Sequence, residues 1–248
     1  MILSFCKLIR FFVGWIDLFI LTLLLYFLSF LPNQVNHTYY PRLFRYWCTV
    51  FARALHVSLI VHDKYMAQLP KQYIVISNHP SAFEDIGMPI LFNAHYLAKY
   101  EVQHWWWVGR ISRAAGTLFF KREDKEDRHQ AFNLVLQELK SGKNIGLYPE
   151  GGCKGRRVHL PFHHNVFELS IQSGVPIIPV FIHYEAQAHF EWQGQTLLKK
   201  IWEMALSPNK NANYYIHEPL DPKHYQSKVD FCTEVEKRYI KWQSLYLE

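Results

Sequence analysis

Ile74-Val75-Ile76-Ser77-Asn78-His79-Pro80-Ser81-Ala82-Phe83-Glu84-Asp85 is the stretch on which the reading of this chain turns. Its apolar, β-branched opening predicts a buried strand. The strand runs into a polar turn that carries a histidine, and two carboxylates follow about one turn later. A carboxylate beside a histidine fixes the imidazole tautomer and stabilises the imidazolium, which equips the ring as a general base. In open α/β sheets ligands bind outside the carboxyl ends of strands, which is where His79 falls.

Working outward, strand and helix patterns alternate. Strands are expected at 57–61, 73–77, 96–99, 117–120, 144–148, 177–182 and 213–216. Helices are expected at 84–92, 107–115, 123–140, 165–172, 197–206 and through much of 223–247. The clearest helix, 123–140, opens with acids, ends in Lys140 and is closed by Gly142. This alternation predicts an α/β fold: a mixed, largely parallel sheet covered by helices. Chemically capable residues follow several of these strands: Asn78 and His79, Lys121 and Arg122, Glu150 and Gly151, and His183. If the strands are mostly parallel, these groups meet at one edge of the sheet. Such a constellation fits proton abstraction from a hydroxyl on a phosphorylated substrate. There is no G-x-S-x-G nucleophile setting, and Cys153 reads as an incidental thiol. The histidine is therefore expected to activate the substrate's own hydroxyl.

Upstream, residues 11–31 are almost unbroken in apolar residues, with Asp17, Thr22 and Ser29 as exceptions. Roughly 20 apolar residues suffice to span a bilayer. Residues 39–56 place Leu43, Trp47, Val50, Phe51 and Ala54 at helical spacing, with Arg42, Arg45 and Arg53 elsewhere, as in an interfacial amphipathic helix. The expected division is a membrane-associated helical hairpin at 1–56 and an α/β domain at 57–248. The chain has 248 residues and a net charge of +6. That excess suits an anionic membrane surface, and no nucleic-acid recognition motif accompanies it. Four scattered cysteines form no C-x-x-C pair, which argues against a disulfide framework or a structural zinc site. His159, His163 and His164 lie close together but lack standard ligand spacing.

Four ordered blocks resemble the glycerolipid acyltransferases of the lysophosphatidic acid acyltransferase family. Asn78-His79-Pro80-Ser81-Ala82-Phe83-Glu84 looks like the first block, and Gly116-Thr117-Leu118-Phe119-Phe120-Lys121-Arg122 the second. Tyr148-Pro149-Glu150-Gly151-Gly152 looks like the third and Val175-Pro176-Ile177-Ile178-Pro179-Val180 the fourth; Ala98-Lys99 is also similar. The resemblance covers residues 57–185. Two departures stand out. Glu84 occupies a position where the family more often has Asp, and Gly152-Cys153 stand where the third block usually has Thr-Arg.

The resemblance implies transfer of an acyl group from acyl-CoA or acyl-carrier protein to the hydroxyl of a lysolipid such as 1-acylglycerol-3-phosphate. His79 is the implied base, with Glu84 orienting and charging the imidazole. Lys121 and Arg122 are implied to hold an acceptor phosphate. Lys99, Gly116, Phe119, Glu150, Gly151 and Gly152 are implied to line the substrate site. No metal or resident cofactor is implied. The implied location is a membrane bilayer, the bacterial inner membrane, with the site on its cytoplasmic face. Ser81-x-x-Glu84 is also a capping box, so Glu84 has a purely structural reading in which Asp85 partners His79. Three other functions remain open from sequence: an acyltransferase for another lysophospholipid or a lyso-aminolipid, a non-catalytic lipid-binding protein on the same fold, and a zinc hydrolase.

Overall fold

The computed structural model of the chain describes residues 2–31, 33–63, 65, 68–121 and 123–248, with side chains described from Phe11 to Leu31 and from Tyr39 onward. Seven strands form one sheet: β1 (Ser58–Asp63), β2 (Ile74–Ser77), β3 (His95–Lys99), β4 (Leu118–Phe120), β5 (Ile145–Leu147), β6 (Ile177–Tyr184) and β7 (Asn211–Ile216). Their spatial order is β1-β7-β6-β2-β5-β3-β4. Every neighbouring pair is parallel except β6 and β7. Five strands, β2 to β6, therefore end on the same edge, while β1 and β7 run the opposite way. The mixed, mostly parallel sheet expected from the alternation is present.

The helices α1 (Ile2–Leu28), α2 (Asn33–Ala54), α3 (Glu84–Leu91), α4 (Trp106–Ala114) and α5 (Lys125–Lys140) are followed by α6 (Asn165–Ser173), α7 (Gln187–Phe190), α8 (Leu197–Ala205) and α9 (Lys228–Leu247). Helix starts follow local chemistry: Asp124 caps α5 by accepting from the Glu126 N–H, and Ser227 caps α9 by accepting from the Asp230 N–H. The alternation of side chains along each strand divides the core in two. Ile74, Ile76, Ile145, Ile177 and Phe181 face one way and are covered by α5, α6 and α9. Val75, Ile178, Val180, Ile182, Tyr184 and Tyr214 face the other and are covered by α2, α3 and α8. β2 is buried on both faces, as a central parallel strand must be. Each of its aliphatic side chains stabilises the fold by about 1.5–3 kcal/mol through burial.

The first two helices pair as a hairpin. Tyr40 donates its hydroxyl to the Leu25 carbonyl at 2.9 Å, and Trp47 Nε1 donates to Thr22 Oγ1 at 2.8 Å. The stretch Phe11–Leu28 of α1 has a mean hydropathy of 2.2 and is long enough to cross a membrane. Its outward side exposes Phe12, Ile16, Phe19, Ile20 and Phe27. Asp17 lies on that exposed side rather than against α2. The other helix of the hairpin has a second duty. Ala52 and Leu55, at and just after its end, belong to the core beneath the sheet. Arg45 Nε and Nη2 donate to the carbonyls of Pro89 and Ile90, at 2.9 and 3.3 Å, near the end of α3. The hairpin thus holds the helix whose first residue is Glu84.

Candidate active site

The end of β2 is clamped to its neighbour before the site begins. Asn78 Nδ2 donates to the Ile182 carbonyl at 2.9 Å, and the Ile182 N–H donates to Asn78 Oδ1 at 2.7 Å. His79 follows directly, almost wholly buried. Its Nδ1 lies 2.8 Å from Glu84 Oε2. The same Glu84 oxygen accepts the Ser81 N–H at 2.8 Å, while Oε1 accepts the hydroxyl of Tyr184. Glu84 therefore carries out both tasks that the sequence set against each other. It satisfies the Ser81 backbone N–H, although Phe83 rather than Ser81 stands at the N-cap of α3, and it orients the histidine. Asp85, the alternative partner, turns to the exposed side of α3.

Burial pushes the Glu84 carboxyl well above the usual carboxylate range. The Tyr184 hydroxyl and the Ser81 N–H oppose that push because they bind the charged form. Three donors converging on two oxygens is the environment of a carboxylate that orients a neutral imidazole through Nδ1–H, leaving Nε2 outward as the base.

One face of the imidazole is also covered by stacked rings. Tyr148 stacks on it with ring centroids 3.9 Å apart, and Tyr96 stacks beyond Tyr148. Tyr96 reaches this position because residue 146 is glycine: a Cβ there would stand 2.0 Å from the Tyr96 ring. Glu150 lies behind the histidine. Its Oε1 accepts the His79 N–H at 3.1 Å and its Oε2 accepts the His159 N–H at 3.3 Å. Burial, with a smaller contribution from Glu84, pushes Glu150 up to about 8 against the N–H donors and Lys154. Both Glu150 oxygens are committed to backbone, so this residue holds the loop and the histidine main chain. Gly151 closes the turn with φ +76°, its N–H donating to the Tyr148 carbonyl at 3.0 Å. Gly152 and Cys153 follow, and Cys153 Sγ lies 3.3 Å from His79 Nε2.

The other sequence candidates lie along the same edge. Lys99 ends β3 opposite Phe120 of β4, and its Nζ approaches Glu101 and Glu123 at 3.4 and 3.9 Å. Lys121 is exposed, with Nζ 4.9 Å from the Tyr100 ring centroid. Arg122 lies outside the described residues. Gly116 has φ +92° after α4, where a Cβ would meet the His95 imidazole. Phe119 borders a cleft of about 260 Å³ lined also by Leu97, Phe120, Ala131 and Leu134. His183 is not at a strand end: β6 continues to Tyr184, and strand alternation turns His183 to the opposite face. Among the described residues no three His, Cys, Asp or Glu side chains group as metal ligands.

Sequence reasoning missed Tyr184 and Tyr148. Tyr184 sits two residues beyond Ile182 on the same face, so a strand extended by one alternation would have exposed it. Tyr148 stood inside the third block, but its stacking carries no sequence signal.

This geometry defines a helix-covered α/β protein with a His-carboxylate dyad at the strand ends. The model of the acyltransferase family matches residues 58–183, and the chain belongs to that family. It is 27% identical over 115 residues to 1-acyl-sn-glycerol-3-phosphate acyltransferase of Neisseria gonorrhoeae, covering 46% of this chain and 45% of that protein. It is 25% identical over 182 residues to lyso-ornithine lipid O-acyltransferase of Rhodobacter capsulatus, covering 67% and 65%. These matches span less than two thirds of each relative. The crystal structure of the 1-acyl-sn-glycerophosphate acyltransferase PlsC from Thermotoga maritima superposes with a TM-score of 0.65 at 21% identity, covering 91% of this chain and 94% of that one. At that identity the superposition speaks for the fold.

Proposed function

We propose that the chain is a membrane-bound O-acyltransferase that moves a fatty acyl group from an acyl thioester, acyl-CoA or acyl-carrier protein, to the free hydroxyl of a lysolipid. The acceptor is 1-acylglycerol-3-phosphate and the product phosphatidic acid. The observation that carries the reading is the His79–Glu84 pair, 2.8 Å apart at the end of a buried strand. His79 Nε2 takes the hydroxyl proton, and Glu84 holds the ring and stabilises its positive charge. The resulting alkoxide attacks the acyl carbonyl and a thiolate leaves. Lys121 and Arg122, in the second block, supply positive charge for the acceptor phosphate, and a guanidinium suits phosphate because it binds bidentately. A general base contributes about 10²–10⁴-fold, so positioning of the two lipids must supply much of the remainder. Residues 1–56 seat the chain in the bilayer through the apolar side of α1, with the site at the cytoplasmic face of a bacterial inner membrane.

A second acceptor, a lyso-aminolipid, is favoured by the Rhodobacter relative, which matches more of the chain than the Neisseria one. The altered Gly152-Cys153 step of the third block favours it as well. The test is transfer of a labelled acyl group, from acyl-CoA and separately from acyl-carrier protein, to a panel of lysolipids by the detergent-solubilised protein. Transfer to 1-acylglycerol-3-phosphate, lost in His79→Ala, supports the first acceptor. Transfer only to a lyso-aminolipid replaces it with the second. No transfer to any acceptor favours a lipid-binding protein.

A further inference from the structure

We propose that the Trp105–Trp106 corner at the start of α4 is a second lipid contact, outside the hairpin, which docks at the headgroup level of an anionic bilayer and fixes how the sheet edge faces it. This rests on the membrane-seated reading above and adds a contact to it.

The first observation is exposure. Trp106 is 87% exposed, more than any other large apolar side chain among the described residues, and Trp105 and Val108 beside it are exposed as well. An indole is costly to leave in water. It suits the headgroup zone, where the ring is dry and the N–H stays wet.

The second observation is continuity with α1. The Trp107 ring centroid lies 6.3 Å from that of Phe19 and 5.9 Å from that of Tyr26. One turn later the Arg110 guanidinium sits 3.5 Å from the Phe30 ring centroid, and its Nε donates to Ser29 Oγ at 2.9 Å. Phe19, in α1, and Phe30, just after it, are themselves exposed. The indoles of α4 therefore extend the apolar side of α1 and do not form a separate patch.

The third observation is charge. Residues 105–115 carry Arg110 and Arg113 and no acid. Basic residues beside an apolar corner complement anionic headgroups. A second copy of this chain would bring the same positive charge to the face, which commits the face to lipid.

The fourth observation is rigidity. The Gly109 N–H donates to the Trp105 carbonyl at 2.8 Å, and a Cβ at Gly109 would stand 2.1 Å from the Gln103 carbonyl oxygen, so α4 is seated closely on the turn at 100–104. Arg113 reaches to 5.8 Å from the Phe119 ring centroid, and α4 leads through Gly116 into β4. One embedded helix leaves a protein free to roll about the helix axis. A contact beside that axis removes the freedom, and the close packing of α4 carries the constraint to Phe119 and Lys121.

The experiment places the full chain in vesicles of phosphatidylglycerol and phosphatidylethanolamine that contain lipids brominated at shallow or deep acyl positions. The difference in tryptophan fluorescence between wild type and Trp106→Ser isolates that indole. The expected difference signal is quenched more by shallow bromines than by deep ones and is shielded from aqueous iodide. Transfer to a long-chain lysolipid carried in the vesicles should fall about tenfold in Trp106→Ser, the weight of one aromatic side chain withdrawn from lipid. Trp106→Tyr should restore it, because tyrosine shares the interfacial preference. Transfer to a short-chain, water-soluble lysolipid should be unchanged in both variants, which shows that fold and dyad are intact. A difference signal quenched by iodide and not by bromolipid overturns the proposal, and so does one quenched most by the deepest bromines. Shielding from iodide without bromolipid quenching means that a protein covers the face, which also overturns it. These three results leave the acyltransferase reading standing. A chain that does not float with the vesicles overturns both the seating and this contact. Bromolipid quenching in a chain that transfers no acyl group to any acceptor keeps the lipid contact and counts against the acyltransferase reading alone.

Discussion

Tyr184, the last residue of β6, donates its hydroxyl to Glu84 Oε1 while His79 occupies the opposite oxygen of the same carboxylate. The phenol joins the orienting residue to a strand that sequence reading ended two residues earlier. Its contact favours the charged form of Glu84 against the upward push of burial.

We predict that Tyr184→Phe raises the Glu84 pKa further, since a donor to the charged form is lost. The dyad then keeps its inhibitory proton to higher pH. The acid limb of the rate profile should move up in pH, with a loss of about 1–3 kcal/mol of stability from the unpaired oxygen. A pH–rate profile and thermal unfolding check this; an unmoved acid limb removes Tyr184 from the proton chemistry.

Replacing Glu84 separates the two carboxylates. Glu84→Gln leaves an amide where three donors need acceptors, and transfer should fall about 10²–10⁴-fold. Asp85→Ala, on the exposed side of the helix, should change the rate by no more than about threefold, because Glu84 and not Asp85 holds His79 Nδ1. Equal losses in the two variants would mean that Asp85 takes part in the chemistry.

Glu150 provides a test in stability rather than rate. Its folded pKa, raised to about 8 from 4.5, means that the native state holds a proton which the unfolded chain releases. The linked stability is fully present below the unfolded pKa and is lost as pH rises through about 8. Glu84 acts in the same direction. The unfolding midpoint of the wild type should therefore fall across that window, and Glu150→Gln should flatten the slope while lowering stability overall. Parallel slopes would show that Glu150 does not titrate there.

Gly87 lies one turn into α3, where a Cβ would stand 1.8 Å from the Tyr214 hydroxyl. Both positions are buried. We expect Gly87→Ala to cost about 1–3 kcal/mol as overpacking. It should also reduce transfer, because the same short helix carries Glu84. A folded variant with full activity would show that α3 can shift without disturbing the dyad.

Membrane seating is testable on the exposed side of α1. Ile16→Lys with Ile20→Lys should weaken flotation with liposomes, each charge costing about 2.5–3.5 kcal/mol if it reaches the centre of the hydrocarbon. Unchanged flotation would place the membrane contact elsewhere.

Much of this molecule was legible in the chain because strands and helices differ in period. Residues 74–76 and 177–182 are unbroken apolar runs within their strands, and the helix at 125–140 has its own cap and stop signals. The order of the strands was less accessible. β7 inserts beside β6 and reverses direction, a long-range pairing that no local pattern records. The N-terminal hairpin was read as membrane-associated, yet the end of α2 also serves the core of the sheet, because an amphipathic pattern shows that a helix has an apolar side without naming what covers it.

The site divides in the same way. Sequence by itself determined that a histidine, a nearby carboxylate and a Glu-Gly-Gly turn each follow a strand, since those facts depend only on local order; that the strand ends share an edge depended on their running parallel, which the structure decided. Tertiary structure alone decided that Glu84 rather than Asp85 holds His79, that Tyr184 and Tyr148 flank the dyad, and that Cys153 stands at Nε2. Those relationships join residues 5 to 100 positions apart. They are fixed by how the helix start, the strand end and the loop pack together, and no spacing along the chain encodes a distance of that kind.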